Sequence, residues 1–149
     1  MRKIYLIEDD PFVIEWTERL VKKAFGDSLI VKTVSSERAF LVMQRFLVRS
    51  EVAGIIVDLL LPWEDGVPIQ SDEYPTPRGD PFLAGLRVIG DLANDPSMRG
   101  APVLLYTVNE PPEISEAVRS ALQFSYMRKD EPDESLLVWI RKASLSRPS

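Results

Sequence analysis

Glu8, Asp9 and Asp10 follow the apolar run Ile4 to Ile7, and Asp58 closes the run Ile55 to Val57. Thr107 ends the run that starts at Val103, and Lys129 stands two residues beyond the run Phe124 to Met127. If each run is a strand of one parallel sheet, these side chains gather at its carboxyl edge, where open α/β sheets place their active groups. Several carboxylates in one place repel one another and raise each other's pKa unless a cation neutralises them, and hard oxygens favour Mg²⁺. A carboxylate beside Mg²⁺ can act as a nucleophile toward a phosphoryl group, with the metal offsetting charge on the transferring oxygens and Lys and Thr holding the others. The expected chemistry is a phosphoryl-accepting aspartate. For Asp58 an acid closing an otherwise apolar strand needs a cation or donor in any case. Asp10 reads better as a helix cap than as a ligand, because it precedes Pro11, a residue suited to a first helical turn.

The chain contains no His and no Cys. That excludes imidazole bases, Ser-His triads, thiolate nucleophiles, thiolate zinc sites and disulfides. Lys and Arg number 18 against 23 Asp and Glu, a net charge of -5, the wrong sign for a phosphate-backbone binder. Direct nucleic-acid binding is not expected. No apolar run approaches the roughly 18 residues of a membrane span, and Glu8 arrives too early for a signal peptide, so the expected compartment is the cytoplasm.

The elements that must position these groups are legible as changes of period. The four runs show no apolar-polar alternation, which suits strands buried on both faces of a parallel sheet. A fifth run, Leu29 to Val34, carries Lys32 and Thr33, as a strand nearer the edge could. Between them, Ala39, Phe40, Met43, Phe46 and Leu47 fall at offsets of three and four, as do Ile114, Ala117, Val118, Ala121 and Leu122. These are helix faces packing on a sheet. Val13 to Phe25, Phe82 to Ala93 and Leu136 to Ala143 read the same way. Strand then helix, five times over 149 residues, predicts one domain, a doubly wound three-layer α/β sandwich.

One segment breaks the rhythm. Trp63 to Pro81 holds four prolines, two glycines, five acids and a single Arg in nineteen residues. That is longer than an ordinary connection from strand to helix, and it reads first as a solvated insertion and second as a lid or docking element. Ser144 to Ser149 read as a polar tail. Trp16, Trp63 and Trp139 are assigned to packing or surface.

The motifs Tyr5 to Pro11 (YLIEDDP), Val57 to Pro62 (VDLLLP), Pro102 to Thr107 (PVLLYT) and Tyr126 to Lys129 (YMRK) stand on successive strand ends. In that order they make nearly the whole chain resemble the receiver domain of bacterial two-component response regulators. The resemblance implies a flavodoxin-like (βα)5 fold with sheet order 2-1-3-4-5 and Asp58 as the phosphorylated residue. It also implies Mg²⁺ held by Asp9 directly, by Glu8 through water, and by Asp58 and the backbone carbonyl of Leu60. Thr107 would hydrogen-bond the phosphoryl group, Lys129 would pair with it, and Tyr126 would be the switch aromatic. The implied partners are a histidine kinase or histidine phosphotransfer protein upstream and a protein target downstream. A homodimer through the fourth and fifth helices is left open.

Three features depart from the family pattern. Asp130 follows Lys129 where the family usually has Pro, Val108 holds a position usually given to a small residue, and the 63–81 loop is inserted beside the phosphorylation site. The expectation is a single-domain regulator, not a turnover enzyme. A phosphorylation-independent receiver-like adaptor is the alternative. A Mg²⁺-dependent phosphohydrolase ranks third, because Leu60 offers no general acid two residues after Asp58.

Overall fold

The structure, a computed structural model, describes residues 1–66, 77–108 and 124–145. Its five strands are β1 (Arg2–Ile7), β2 (Leu29–Val34), β3 (Val52–Val57), β4 (Val103–Thr107) and β5 (Ser125–Arg128). All pair in parallel in the order β2-β1-β3-β4-β5. Four α-helices are described: α1 (Pro11–Phe25), α2 (Glu37–Gln44), α3 (Ala84–Ala93) and α4 (Asp133–Leu145). The helix expected from Ile114 to Leu122 lies outside the described residues.

The apolar runs of β1, β3 and β4 have the cause inferred for them, whereas the run Phe124 to Met127 is not a strand covered on both faces: β5 pairs only with β4 at the sheet edge, and its residues are half-buried or exposed. Along β1, Ile4 and Leu6 join the core beneath α1 and α4, while Tyr5 and Ile7 join the core beneath α2 and α3. β3 divides in the same way, with Ile56 on the first side and Ile55 and Val57 on the second. Period-two side chains with a helical layer on each face leave only the ends of the central strands, Arg2 and Lys3 of β1 and Thr107 of β4, to charged or hydroxyl-bearing aliphatic side chains. β2 pairs only with β1, and its Lys32 and Thr33 stand on the sheet edge.

Local signals set the helix starts. The Asp10 side chain accepts a hydrogen bond from the Phe12 amide at 2.9 Å and Pro11 opens α1. The Ser36 hydroxyl accepts from the Ala39 amide at 3.1 Å and caps α2. α1 stops at Gly26, whose φ of 59° lies in the left-handed region that glycine tolerates.

Two sequence expectations need correction. Phe46, read as part of the buried face of α2, is 76% exposed. α2 ends at Gln44, and the Phe46 and Leu47 amides then bond to carbonyls only three residues back. That tighter turn carries Leu47 into the core and rotates Phe46 outward. Ser144 and Leu145, read as the start of a polar tail, are the last two residues of α4, and 146–149 lie outside the described residues.

Candidate functional site

Each chemical side chain is fixed by a backbone bond that extends the sheet by one residue. The Glu8 amide donates to Val34 O at 3.0 Å, the Asp58 amide to Ile7 O at 2.9 Å, and the Lys129 amide to Thr107 O at 2.9 Å. Because Ile7 and Val57 are in register, the residues after them, Glu8 and Asp58, come out side by side. The carboxylates of Glu8, Asp9 and Asp58 lie within 4.8 Å of one another.

Lys129 reaches into this group from the far side. Its Nζ is 2.5 Å from Glu8 Oε2 and 3.3 Å from Asp58 Oδ2. The other Glu8 oxygen accepts the Asp9 and Asp10 amides at 3.2 and 3.1 Å, and Asp58 Oδ1 accepts the Leu59 amide at 2.8 Å. Glu8 is 1% exposed. Its burial, and then the Asp58 charge beside it, push its pKa up to about 8 against the opposing pull of Lys129. Asp9 is raised as well, by burial and by Asp58. Burial draws Lys129 down, but Glu8 and Asp58 outweigh it and hold the ammonium charged. Three carboxylates around one ammonium are short of positive charge, and that is the electrostatic condition for admitting a divalent cation.

The sequence-predicted residues divide as follows. Glu8, Asp9, Asp58 and Lys129 converge. Thr107 is buried at the end of β4 and bonded through its carbonyl to Lys129. Leu60 lies in the turn after β3, and Tyr126 is half-buried in β5 against the α2–α3 core. Asp10 is a cap. Val108 is 59% exposed at the end of β4.

The Lys129–Asp130 turn, which has no proline, is closed by side-chain and backbone bonds. The Glu131 amide donates to Arg128 O at 3.2 Å, the Arg128 amide donates to the Glu131 carboxylate at 3.0 Å, and Arg128 pairs with Asp130 at 3.1 Å. No described peptide bond is cis.

Sequence reasoning missed Gly85. Its amide donates to Leu59 O at 2.8 Å, and a Cβ placed on it would sit 2.2 Å from Asp58 O and 2.8 Å from Leu59 Cα. α3 therefore starts in contact with the backbone of Asp58, and only hydrogen fits between them. Gly85→Ala is expected to cost at least the roughly 3 kcal/mol at the upper end of overpacking. A denaturant midpoint equivalent to within about 0.5 kcal/mol of wild type, the scatter of neutral changes, would contradict this.

No family model and no curated protein matches the sequence. Solved structures do. A sensor protein from Polaromonas sp. JS666 superposes with a TM-score of 0.69 at 19% identity over 96% of this chain and 95% of its own. The BeF3-activated N-terminal receiver domain of Klebsiella pneumoniae RstA gives 0.66 at 20% identity over 97% and 100%. The receiver domain of a sensor histidine kinase from Pseudomonas aeruginosa PAO1, solved with a magnesium ion coordinated in its active-site cleft, gives 0.64 at 17% identity over 97% and 98%. The described residues have the receiver fold.

Proposed function

We propose that this chain is a two-component receiver that takes a phosphoryl group from a phosphohistidine donor onto Asp58 and passes the signal on through a protein contact. The observation that supports it most is Asp58 itself. It is a nearly buried carboxylate at the carboxyl end of a central strand, next to two further carboxylates and one ammonium. An Asp58 carboxylate oxygen attacks the phosphorus of the donor. The O–P bond forms as the N–P bond breaks, and the electron pair returns to the imidazole nitrogen, which takes up a proton. Lys129 is within reach of the acquired charge, and Thr107 closes the neighbouring strand end. Glu8, Asp9, Asp58 and the Leu60 carbonyl are the groups that would hold Mg²⁺, whose contribution when bound is to offset charge on the transferring oxygens. In this reading the chain is a phosphoacceptor and not a turnover hydrolase.

The test is a titration of Trp fluorescence with Mg²⁺ and then beryllofluoride, a stable mimic of the aspartyl phosphoryl group, with Asp58→Asn as control. A saturable, Mg²⁺-dependent response that the control lacks is expected. Silence in the wild type would favour the phosphorylation-independent adaptor.

In this reading the donor docks beside the site. A groove of about 360 Å³ runs from Lys129 past Tyr106 to Phe12 and Trp16 of α1, and Phe12 is 83% exposed. Phe12→Ala with Trp16→Ala is expected to slow transfer from a protein donor by roughly thirtyfold, the scale of losing a buried aromatic anchor of about 2 kcal/mol. Loading from a small acyl phosphate should be unchanged. Equal slowing with both donors would place these residues in the site's structure and not on a partner surface.

A further inference from the structure

We propose that Glu37, through Arg87 and Arg78, is the positioning residue of the phosphoacceptor turn, clamping the returning arm of the inserted loop to α2, whose N-terminus holds the outgoing arm, so that the chain after Asp58 has one conformation. The proposal rests on the receiver reading for its functional meaning, but its structural content can be tested separately.

Glu37 opens α2 and is 0% exposed. It is not among the carboxylates around Lys129. One of its oxygens accepts from Arg87 Nη2 at 2.8 Å, and the other from Arg87 Nε at 2.9 Å, with Arg78 Nη1 3.4 Å from the second. Arg78 in turn donates one hydrogen bond from Nη2 to Asp91 Oδ1 of α3 at 3.0 Å, and its Nη1 makes an ion-pair contact with Asp91 Oδ2 at 2.9 Å. A buried carboxylate is costly unless paired in this way, and a two-bond guanidinium fork fixes direction as well as charge.

The partners lie on the two arms of the loop. On the outgoing arm, the Glu37 amide donates to Pro62 O at 2.9 Å and the Arg38 amide to Trp63 O at 3.0 Å. Ser35 bonds Asp65, and Arg38 pairs with Glu64. On the returning arm stand Arg78 itself and Asp80, whose carbonyl accepts from Arg87 Nη1 at 2.8 Å. Gly79 between them has φ 126°, and a Cβ there would meet Arg87 Nη1 at 3.3 Å. The Glu37 carboxylate thereby ties the returning arm and α3 to the start of α2, the same segment whose backbone amides hold the outgoing arm.

The two arms meet where the site is built. The Leu61 amide donates to Pro81 O at 3.3 Å, and the Gly85 amide to Leu59 O at 2.8 Å. Between these bonds lies Leu60, whose carbonyl the receiver reading assigns to the cation. An ordinary strand-to-helix turn is short enough to hold itself, but one carrying a nineteen-residue excursion must pay for closing its ends. The clamp supplies that closure from outside the turn, and no described contact of Glu37 reaches Asp58, Glu8 or Lys129 directly. A group that orients ligands without touching the metal has a measurable weight. Removing such a support typically costs about ten- to hundredfold in metal affinity.

The test compares wild type, Glu37→Gln and the double variant Glu37→Leu with Arg87→Met. The readouts are thermal stability, Mg²⁺ affinity by Trp fluorescence, and hydrogen exchange at the Leu61 and Gly85 amides. Glu37→Gln is expected to lose stability, to bind Mg²⁺ about ten- to hundredfold more weakly, and to exchange faster at those two amides. The apolar double variant should regain stability, because replacing both members of a buried pair is often neutral, yet keep the weak Mg²⁺ affinity and fast exchange. Recovery of all three together would reduce Glu37 to a structural ion pair and overturn the proposal, as would unchanged exchange in Glu37→Gln. If wild type binds no Mg²⁺, the receiver reading fails while the two amides still decide the clamp.

Discussion

Lys129→Met is expected to tighten Mg²⁺ binding by about ten- to hundredfold, each factor of ten being 1.4 kcal/mol, while removing the response to beryllofluoride. The ammonium stands 2.5 Å from Glu8 and 3.3 Å from Asp58, so in the metal-free protein it is the cation of the site. Any metal entering among the same carboxylates must compete with it. At an effective dielectric near 20 a unit charge about 4 Å away is worth about 4 kcal/mol, ample for the expected change even when much of it is lost to solvent relaxation. The metal-free variant should be correspondingly weak. It leaves the carboxyl groups of Glu8, Asp9 and Asp58 within 4.8 Å without the Lys129 ammonium, and removing one partner of a buried pair costs about 3–5 kcal/mol. Methionine keeps the unbranched stem, so the loss is electrostatic and Mg²⁺ should restore most of it. Beryllofluoride, in contrast, needs the ammonium for its fluorines. Melting in chelator and in Mg²⁺, with a Trp titration, checks all three effects. Weaker Mg²⁺ binding in the variant would mean that Lys129 supports the metal seat and does not compete for it.

How much of this was legible in the sequence depends on the range of the interaction. The strand ends that carry Glu8 and Asp58 could be read because a central parallel strand has to be apolar on both faces, and the first polar residue marks where the strand stops. Thr107 is itself the last residue of β4, and Lys129 follows Arg128 at the end of the edge strand β5. Asp10 and Ser36 could be read as caps because capping is local. Phe46 was misread because its helix ends one turn early, and the offset of three or four that marks a helical face continues into a 3-10 turn that points elsewhere. Glu37, Arg78 and Arg87 carried no signal at all. An acid in the first turn of a helix is ordinary, and a lone Arg in an acidic loop looks like a solvated charge. Only the return of the chain after the insertion brings the two half-buried arginines onto the buried carboxylate. Gly85 was hidden for the same reason. Its need for hydrogen alone comes from the Asp58 backbone, 27 positions away in the chain.

The metal-free protein is expected to lose stability as pH rises from about 4.5 to about 8, opposite to the trend that salt-bridged carboxylates produce. Glu8 sets the sign. Its folded-state pKa of about 8 lies above its ordinary value of 4.5, so between those values the folded chain holds a proton that the unfolded chain has released. Stability changes with pH in proportion to protons bound unfolded minus folded, and that difference is negative here. Asp9, raised in the same direction, adds to the slope from its lower starting point. Lys129 is raised above 10.5 and is protonated in both states throughout the window, so it contributes nothing to the slope there. One proton is worth at most about 1.4 kcal/mol per pH unit, and a total of a few kcal/mol is expected. Mg²⁺ should reverse the trend, because it binds the ionised carboxylates and gains affinity as they lose their protons. Melting temperatures from pH 5 to 8.5 in chelator and in Mg²⁺ measure both slopes, and Glu8→Gln isolates the cause. The variant should flatten the fall seen in chelator. A wild-type curve that rises through this window without metal would show that Lys129 keeps Glu8 ionised, and the competition expected between Lys129 and Mg²⁺ would then be stronger still.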